Sequence, residues 1–387
     1  MKNKVCIITA TRAEYGYLRS LAKRLKQSDR VKLQIIATGT HLEKKYGYTL
    51  SEIIQDGFNP DATVPILKDD SPLGVLSTMS NAITKVGESL KKLSPDMVVL
   101  LGDRYETVSI ALACTILGIP IAHIGGGDVT CGAYDDMFRH ALTKLSCLHF
   151  VSCEEYRKRV IQLGENPKRV FTVGALSVEN VLTMKLLSKE QMQGQFDFPI
   201  EDSLLATFHP VTMGRSSQEK QFNELLSALQ TQQKYNVIFT RPNADTDRSA
   251  LDKMLNVFAK KNLKRVKVVD SLGIVSYLSV MKYCAGVIGN SSSGIVEAPS
   301  LKKGSIDIGN RQKGRISAGS VIHCPAKRIE ILKALDVLGS DKFQKGLKSV
   351  VNMYEKRNTS QKIVKVIEDY IDRKSEIKEF YDLRGDQ

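Results

Sequence analysis

Residues 98–144 read VVLLGDRYETVSIALACTILGIPIAHIGGGDVTCGAYDDMFRHALTK, and the fold can be read from how this stretch is punctuated. With Met97 added, the apolar run 97–101 is too short for a helix and rich in β-branched residues. It therefore reads as a strand buried on both faces. The run stops at Gly102-Asp103-Arg104, and an amphipathic pattern follows at once, with Val108, Leu112 and Thr115 on one stripe. A second buried strand, 120–124, then meets Gly125-Gly126-Gly127-Asp128. Two successive strands thus deliver an acidic residue at their carboxyl ends, beside glycine or a helix start. In an open α/β sheet that edge is where ligands sit.

The same alternation extends towards the N-terminus. Residues 4–10 form a buried strand, 11–16 (TRAEYG) the turn after it, and 17–26 a helix. The turn lacks the G-x-G-x-x-G pattern, so NAD is not expected. Its Arg12 suits a phosphate or pyrophosphate, or else pairs with Glu14. A second strand at 31–38, a short helix near 50–55 and a long helix over 73–93 lead into the central stretch. Beyond it come a strand at 149–152, a helix at 154–163 and a strand at 170–173. Strands and helices alternating in this way make a parallel, doubly wound sheet.

At Gly174 the pattern changes. Residues 177–198 form a polar helical connector, and a second α/β alternation begins at 203. Its strand ends also carry polar groups: Phe208-His209-Pro210, then Arg241-Pro242-Asn243-Ala244-Asp245, then Gly289-Asn290-Ser291-Ser292-Ser293-Gly294, then Gly309-Asn310-Arg311. A Ser/Gly-rich turn that opens a helix gathers hydroxyls, backbone N–H groups and the positive end of the helix dipole. One serine there is enough for a cap; three exceed that need and point to a diphosphate. Glu297 follows at a distance suited to ribose hydroxyls. The fold class is therefore α/β, with two Rossmann-like doubly wound parallel-sheet domains and a ligand cleft between their carboxyl edges. The expected boundaries are 1–175 and 176–360, with a C-terminal helix and tail over 361–387.

Composition narrows the function further. The 387 residues are 42% hydrophobic and 25% charged, with no apolar run long enough to span a membrane, so a cytoplasmic protein without membrane association is expected. Seven cysteines, odd in number and without a C-x-x-C pair, read as reduced thiols and not as staples or zinc ligands. Cys131, in a loop, is the one candidate for a reactive thiol. The net charge of +14 is spread along the chain, with no tryptophan and no nucleic-acid motif. An anionic small substrate fits this balance better than nucleic acid does.

Taken together, Gly102-Asp103-Arg104, Asp135-Asp136 with Arg139-His140, Phe208-His209-Pro210, Gly289-Asn290-Ser291-Ser292 and Gly309-Asn310-Arg311-Gln312 resemble the hydrolysing UDP-N-acetylglucosamine 2-epimerases. The resemblance runs in order along nearly the whole chain. It implies the GT-B architecture, with UDP in the cleft and the C-terminal segment packing back towards the first domain. It also implies the reaction: UDP-N-acetylglucosamine and water give N-acetylmannosamine and UDP, the entry to sialic acid. By resemblance, Asp103 and Asp135 match acids used in proton transfer, and His209 matches a histidine near the diphosphate. Ser291 and Ser292 match diphosphate contacts, and Glu297 a ribose ligand. Arg12 and Arg311 match arginines lining the cleft, and Arg104 an arginine beside the catalytic aspartate. Arg139, Asn243 and Asp245 complete the expected substrate-binding set. A homo-oligomer, dimer or tetramer, is expected.

One departure stands out. Several members of that family carry a catalytic glutamate directly after His-Ile, where this chain has Gly125; Asp128 is the nearest acid that can replace it. The departure also fits a relative acting on a different 2-acetamido sugar, such as the 2,4-diacetamido-6-deoxy substrate of the legionaminic-acid branch. The scheme implied is elimination of UDP across C1–C2 followed by hydration of the glycal, which needs a carboxylate base, an acid and donors for the departing diphosphate. Asp103, Asp128 and Asp135 are the carboxylate candidates, and no metal or other cofactor is called for. Plainer roles stand beside these: Asp135 as a helix N-cap, and Asp136 with His140 as a solvated i,i+4 pair. A non-hydrolysing epimerase, a GT-B glycosyltransferase and a catalytically inactive sugar-nucleotide sensor are the rival readings.

Overall fold

The computed structural model describes residues 2–209, 218–241, 248–270, 272–372 and 377–383. The chain divides into two compact units. One comprises residues 1–128, 135–179 and 354–387, the other 129–134 and 180–353. In the first unit β1 (Asn3–Thr9), β2 (Val31–Thr38), β3 (Ala62–Val64), β4 (Met97–Leu101), β5 (Ile121–Ile124), β6 (Leu148–Val151) and β7 (Val170–Thr172) form one parallel sheet. Its strand order is β3-β2-β1-β4-β5-β6-β7. In the second unit β8 (Ser203–Thr207), β9 (Asn236–Thr240), β10 (Val266–Val269), β11 (Gly286–Gly289), β12 (Ser305–Ile308) and β13 (Val321–Cys324) are likewise parallel, in the order β10-β9-β8-β11-β12-β13.

Both sheets are wound the same way. The chain walks outward through three strands, returns to the first, and then walks outward on its other side. The reversal falls between β1 and β4 in one unit and between β8 and β11 in the other. At such a point the two outgoing loops diverge to opposite faces and leave a crevice at the carboxyl edge.

The continuous apolar strands follow from burial on both faces. Along β1, Val5 and Ile7 enter one core cluster while Cys6 and Ile8 enter another across the sheet. Along β4, Met97 and Val99 divide from Val98 and Leu100 in the same way. The second sheet repeats this, with Leu204 and Ala206 on one side and Leu205 on the other. After residue 353 the chain re-enters the first unit, where the helix Thr359–Ile371 buries Ile363, Val364 and Ile367 against its core. There Arg24 Nε donates to Ser360 Oγ at 2.7 Å, and the Ser360 N–H donates to Glu179 at 3.0 Å.

Several elements differ from the sequence expectation. The first helix spans Arg12–Gln27, so residues 12–16 are its first turn and not a loop. Thr11 and Glu14 form a capping box, in which the Thr11 hydroxyl accepts from Glu14 N–H and the Glu14 carboxylate turns back to the backbone. The expected long helix over 73–93 has a π-helical stretch at Ala82–Val86 between the helices Pro72–Asn81 and Gly87–Leu93. The connector is broken into Leu176–Thr183 and Lys189–Gln193. Strand β13 went unread because four residues with a histidine among them carry little periodic signal. Six of the seven cysteines are buried and all are unpaired; Cys131 is exposed. Among the described residues no helix is long and apolar enough to cross a membrane.

The reversal in the second sheet depends on Gly289, whose φ is +137°. A Cβ there would lie 1.9 Å from the carbonyl oxygen of Thr207 on β8. Gly289→Ala is expected to push β11 off β8 and to cost roughly 3 kcal/mol or more in urea unfolding; an unchanged midpoint would show that the two strands do not meet this closely.

Candidate functional site

In the first unit the site begins where β4 and β5 end. The Gly102 N–H donates to the carbonyl of Ile124 at 3.0 Å, so the two strand ends are tied before their loops part. Beneath them His123 on β5 is fully buried, and its Nε2 lies 2.7 Å from the Gly102 carbonyl. Burial drives its pKa down to about 4, so the ring is neutral and Nε2 is the donor. A histidine with no reach to solvent thereby fixes the turn that presents Asp103.

The organising side chain is Arg139, on the helix Tyr134–Leu145. It is 1% exposed, which is extreme for a guanidinium. It donates to Asp103, and its Nη1 donates to Asp136 Oδ1 at 2.9 Å. Burial opposes its charge, but Asp103, Asp128 and Asp136 together more than offset that, so its pKa is raised. The carboxylates of Asp103 and Asp136 keep about a quarter of their surface, 26% and 29%. One buried cation thus pairs with acids from the β4 end and a helix start, both partly exposed, and feels the charge of Asp128 after β5.

Asp135 is the second residue of that helix, inside its first turn, and so is not an N-cap. Asp136 does pair with His140, Nε2 to Oδ2 at 3.6 Å, but Arg139 claims it as well. His140 is held below its ordinary pKa by burial, with Arg139 and Arg159 adding to the shift against Asp136. Arg12 does not pair with Glu14, whose Oε2 is occupied by the N–H groups of Ala10 and Thr11 at 2.9 and 3.2 Å. Burial lowers the Arg12 pKa, and Glu52 supplies the opposing charge. Arg104 places its Nε 3.2 Å from both oxygens of the fully buried Glu106 and stacks over the Tyr105 ring.

In the second unit the reversal brings His209, after β8, beside Asn290, after β11. The His209 N–H donates to Asn290 Oδ1 at 2.6 Å, and Asn290 Nδ2 returns a bond to the His209 carbonyl at 2.8 Å. The Asn290 carbonyl in turn accepts from Arg311 Nη1 at 3.1 Å and Gln312 Nε2 at 2.7 Å. Asn290 therefore joins three strand-end loops. The sequence reading quoted both Asn290 and Gln312 but gave neither a role; a carboxamide directly after a strand was the available signal. Ser291 and Ser292 are partly exposed, whereas Ser293 is buried on the Tyr277 hydroxyl at 2.6 Å. Burial, with Glu297 adding to it, pushes the Tyr277 phenol up to about 12. The helix expected to lend its dipole is one turn long, Ser293–Val296. The donors this turn offers are therefore hydroxyls and backbone N–H groups, with no helix dipole of any length behind them. Glu297 is buried just behind it, while Asn243 and Asp245 lie outside the described residues.

Residues 23–368 match the family model described as UDP-N-acetylglucosamine 2-epimerase. The chain belongs to that epimerase family. It is 38% identical over 383 residues to an Escherichia coli protein named polysialic acid biosynthesis protein P7, spanning 98% of this chain and 97% of the relative. It is 40% identical over 345 residues to the Campylobacter jejuni GDP/UDP-N,N'-diacetylbacillosamine 2-epimerase (hydrolyzing), spanning 89% of each chain. Among solved structures, the Neisseria meningitidis UDP-GlcNAc 2-epimerase bound to UDP-GlcNAc shares the fold at TM-score 0.79 and 18% identity. That match covers 94% of this chain and 99% of the other. In this epimerase Gly125 has φ +97°, a backbone conformation that strains any side chain, although a Cβ there would meet only Gly102 N, at 3.9 Å. The loop thus carries no side chain at residue 125, and Asp128, three residues on, acts through its charge on Arg139.

Replacing Arg139 with methionine is expected to destabilise the fold by roughly 3–5 kcal/mol at pH 7, because the carboxylates around it lose their counter-charge. Uncompensated acids bind protons more tightly in the folded state than in the unfolded one, so the deficit is full at neutral pH and shrinks as pH falls towards about 4. A deficit that stays constant between pH 7 and pH 4.5 in denaturant unfolding would show that Arg139 contributes packing and not charge.

Proposed function

We propose that this epimerase is a hydrolysing 2-epimerase of a UDP-activated 2-acetamido sugar, converting UDP-N-acetylglucosamine and water into N-acetylmannosamine and UDP. The observation that carries the reading is the set of carboxylates gathered on one buried guanidinium at the ends of β4 and β5. The sugar C2 proton is not next to a carbonyl and is weakly acidic. Its removal becomes feasible when UDP departs from C1 in the same elimination, which leaves a glycal. Asp103, with a salt bridge fixing its orientation and its other face open, is the base. Asp128 is the acid for hydration on the opposite face, and Asp135, one turn before Arg139 on the same helix, is a further carboxylate candidate from the sequence, outside the set held by Arg139.

The nucleotide side falls to donors. Arg12, Arg311, Ser291, Ser292 and His209 stabilise charge on the leaving diphosphate, and Glu297 accepts from ribose hydroxyls. Arg139 orders the acids and Arg104 flanks Asp103. Asn243 and Asp245 remain substrate-binding candidates from the sequence.

A second substrate has specific support. The Campylobacter relative and a 32% identical Legionella pneumophila relative are both named as diacetylbacillosamine 2-epimerases. Gly125 leaves the β5 end without a side chain, which suits a bulkier 2,4-diacetamido sugar. Proton NMR in D2O with each sugar nucleotide separates the two: the true substrate yields UDP and a free 2-epimer deuterated at C2. A UDP-linked 2-epimer as the product would make the enzyme non-hydrolysing. No turnover with UDP still bound would favour a sensor, and absence of UDP binding would overturn the reading. Asp103→Asn is expected to lower turnover by about 10³ or more while leaving UDP affinity unchanged; full activity in that variant would remove Asp103 from the chemistry.

A further inference from the structure

Asp128 has no helix or strand of its own to aim it. It follows β5 in a loop where Gly125, Gly127 and Gly132 hold φ values of +97°, +78° and +75°. Glycine lets the backbone turn at these points, but by itself it leaves the chain free to turn elsewhere. An acid that must meet one carbon of a sugar needs its backbone fixed by something else.

Two arginines hold the chain on either side of Asp128. Before it, Arg159 on the helix Glu154–Gln162 donates Nη1 to the Gly127 carbonyl and stacks over the Tyr156 ring, 5.5 Å from its centre. Gly127 itself lies tight on that helix, since a Cβ there would fall 2.4 Å from the Tyr156 carbonyl oxygen. After Asp128, Arg315 donates Nε to the Val129 carbonyl at 2.8 Å and Nη2 to the Thr130 hydroxyl at 3.2 Å. Arg159 and Gly127 belong to the first unit, whereas Arg315, Val129 and Thr130 belong to the second. Each contact therefore lies within one unit, and Asp128 is the residue at which the chain leaves the first.

The residue types suit the task. A guanidinium offers its N–H groups in a planar fork, so Arg315 can hold a carbonyl and a hydroxyl one residue apart at the same time; a lysine ammonium has no such fixed spread. Arg315 is anchored in turn, because its N–H donates to the Gln312 carbonyl at 3.1 Å and the fully buried Gln312 bonds Asn290. Thr130 is 3% exposed, and the Val129 side chain packs against Gly314.

We propose that Arg159 and Arg315 are positioning residues for Asp128, gripping the backbone before and after it so that its carboxyl addresses C2 of the sugar during hydration. This rests on the reading of Asp128 as the hydration acid. In the first half of that reaction the C2–H bond breaks, its proton goes to Asp103, the C1=C2 bond forms and UDP leaves with the C1–O electron pair. In the second half Asp128 gives a proton to C2 and water adds at C1. Loss of either grip spares the first half and impairs the second, so UDP is released and the glycal departs unhydrated.

The test compares full-length Arg159→Met, Arg315→Met, Thr130→Val and Thr130→Ser with the wild type by proton NMR in D2O, using both sugar nucleotides. The glycal is read from its vinylic C1 proton and the free epimer from its deuterated C2. The methionine variants and Thr130→Val are expected to raise the ratio of glycal to epimer about tenfold or more while UDP release changes little, because a displaced general acid loses much of its effect. Thr130→Ser, which keeps the hydroxyl, keeps the wild-type ratio. A merely structural contribution lowers UDP release and epimer together; that result, or an unchanged ratio, overturns the proposal. Should a methionine variant not fold, the Thr130 pair decides. Asp128→Asn separates the proposal from the reading beneath it. If that variant forms epimer at the wild-type ratio, Asp128 is not the acid and both fall; if it releases glycal while the arginine variants do not, the proposal alone fails. Where the wild type turns over neither sugar nucleotide, hydrogen exchange decides. Faster exchange over residues 127–131 in both arginine variants sustains the grip on Asp128 although the substrate reading fails, and unchanged exchange overturns it.

Discussion

The burial of Arg139 is the constraint on which the first unit's chemistry depends. Taking a guanidinium out of water costs several kcal/mol, and the cost is recovered only when oppositely charged partners sit in good geometry around it. Asp103, Asp128 and Asp136 meet that requirement from three separate pieces of chain. The relation works in both directions. Without the cation, three acids this close would repel and spread; without the acids, the helix Tyr134–Leu145 could not bury Arg139. A single ion therefore sets the distance between two strand ends and a helix start. That fixed spacing is what the proposed elimination between adjacent carbons would require of its acid and base.

The second constraint is topological and is used twice. Each sheet reverses its order once, and the residues with chemical potential collect at that reversal. In the first unit the reversal delivers Arg12 after β1 and Asp103 after β4. In the second it delivers His209 after β8 and Asn290 with Ser291 and Ser292 after β11. The two units fill the same architectural position differently, an arginine and an aspartate in one and neutral or cationic donors in the other. Neutral His123 and the carboxamide of Asn290 do similar work: each is a polar group that bonds a neighbouring strand-end carbonyl and so holds the loop that carries the reacting residues.

Much of this was legible in the sequence because parallel strands buried on both faces leave unbroken apolar runs. Residues 97–101 and 203–207 could hardly be anything else, and the polar residue directly after such a run marks the carboxyl edge. That rule picked out Asp103, His209 and Arg311 as candidates, whereas Asp135 and Arg139 came from the resemblance. What escaped depended on partners distant in the chain. The Thr11-x-x-Glu14 box looked like a turn because its capping bonds have no hydrophobic period. Glu106 carried no sequence signal of its own, and only the folded chain shows that it is buried on Arg104. Strand β13 is short and sits at the sheet edge, where only one neighbour, β12, defines it. The three serines were read as one anion site, yet Ser293 turns inward to Tyr277 because the helix it begins lasts a single turn.

Charge is divided between scales in a way that suits the reaction. The chain as a whole carries +14, a field that draws a sugar nucleotide's diphosphate from solution. Within the first unit the balance inverts locally, with three aspartates around Arg139 and Glu106 on Arg104. A site that must remove a proton from carbon needs concentrated carboxylate, which by itself would repel the anionic substrate. Burying Arg139 among its aspartates moderates that repulsion from within. In the proposed reaction the basic surface supplies encounter and Arg139 supplies order, because its charge is fixed inside the protein and not shared with solvent.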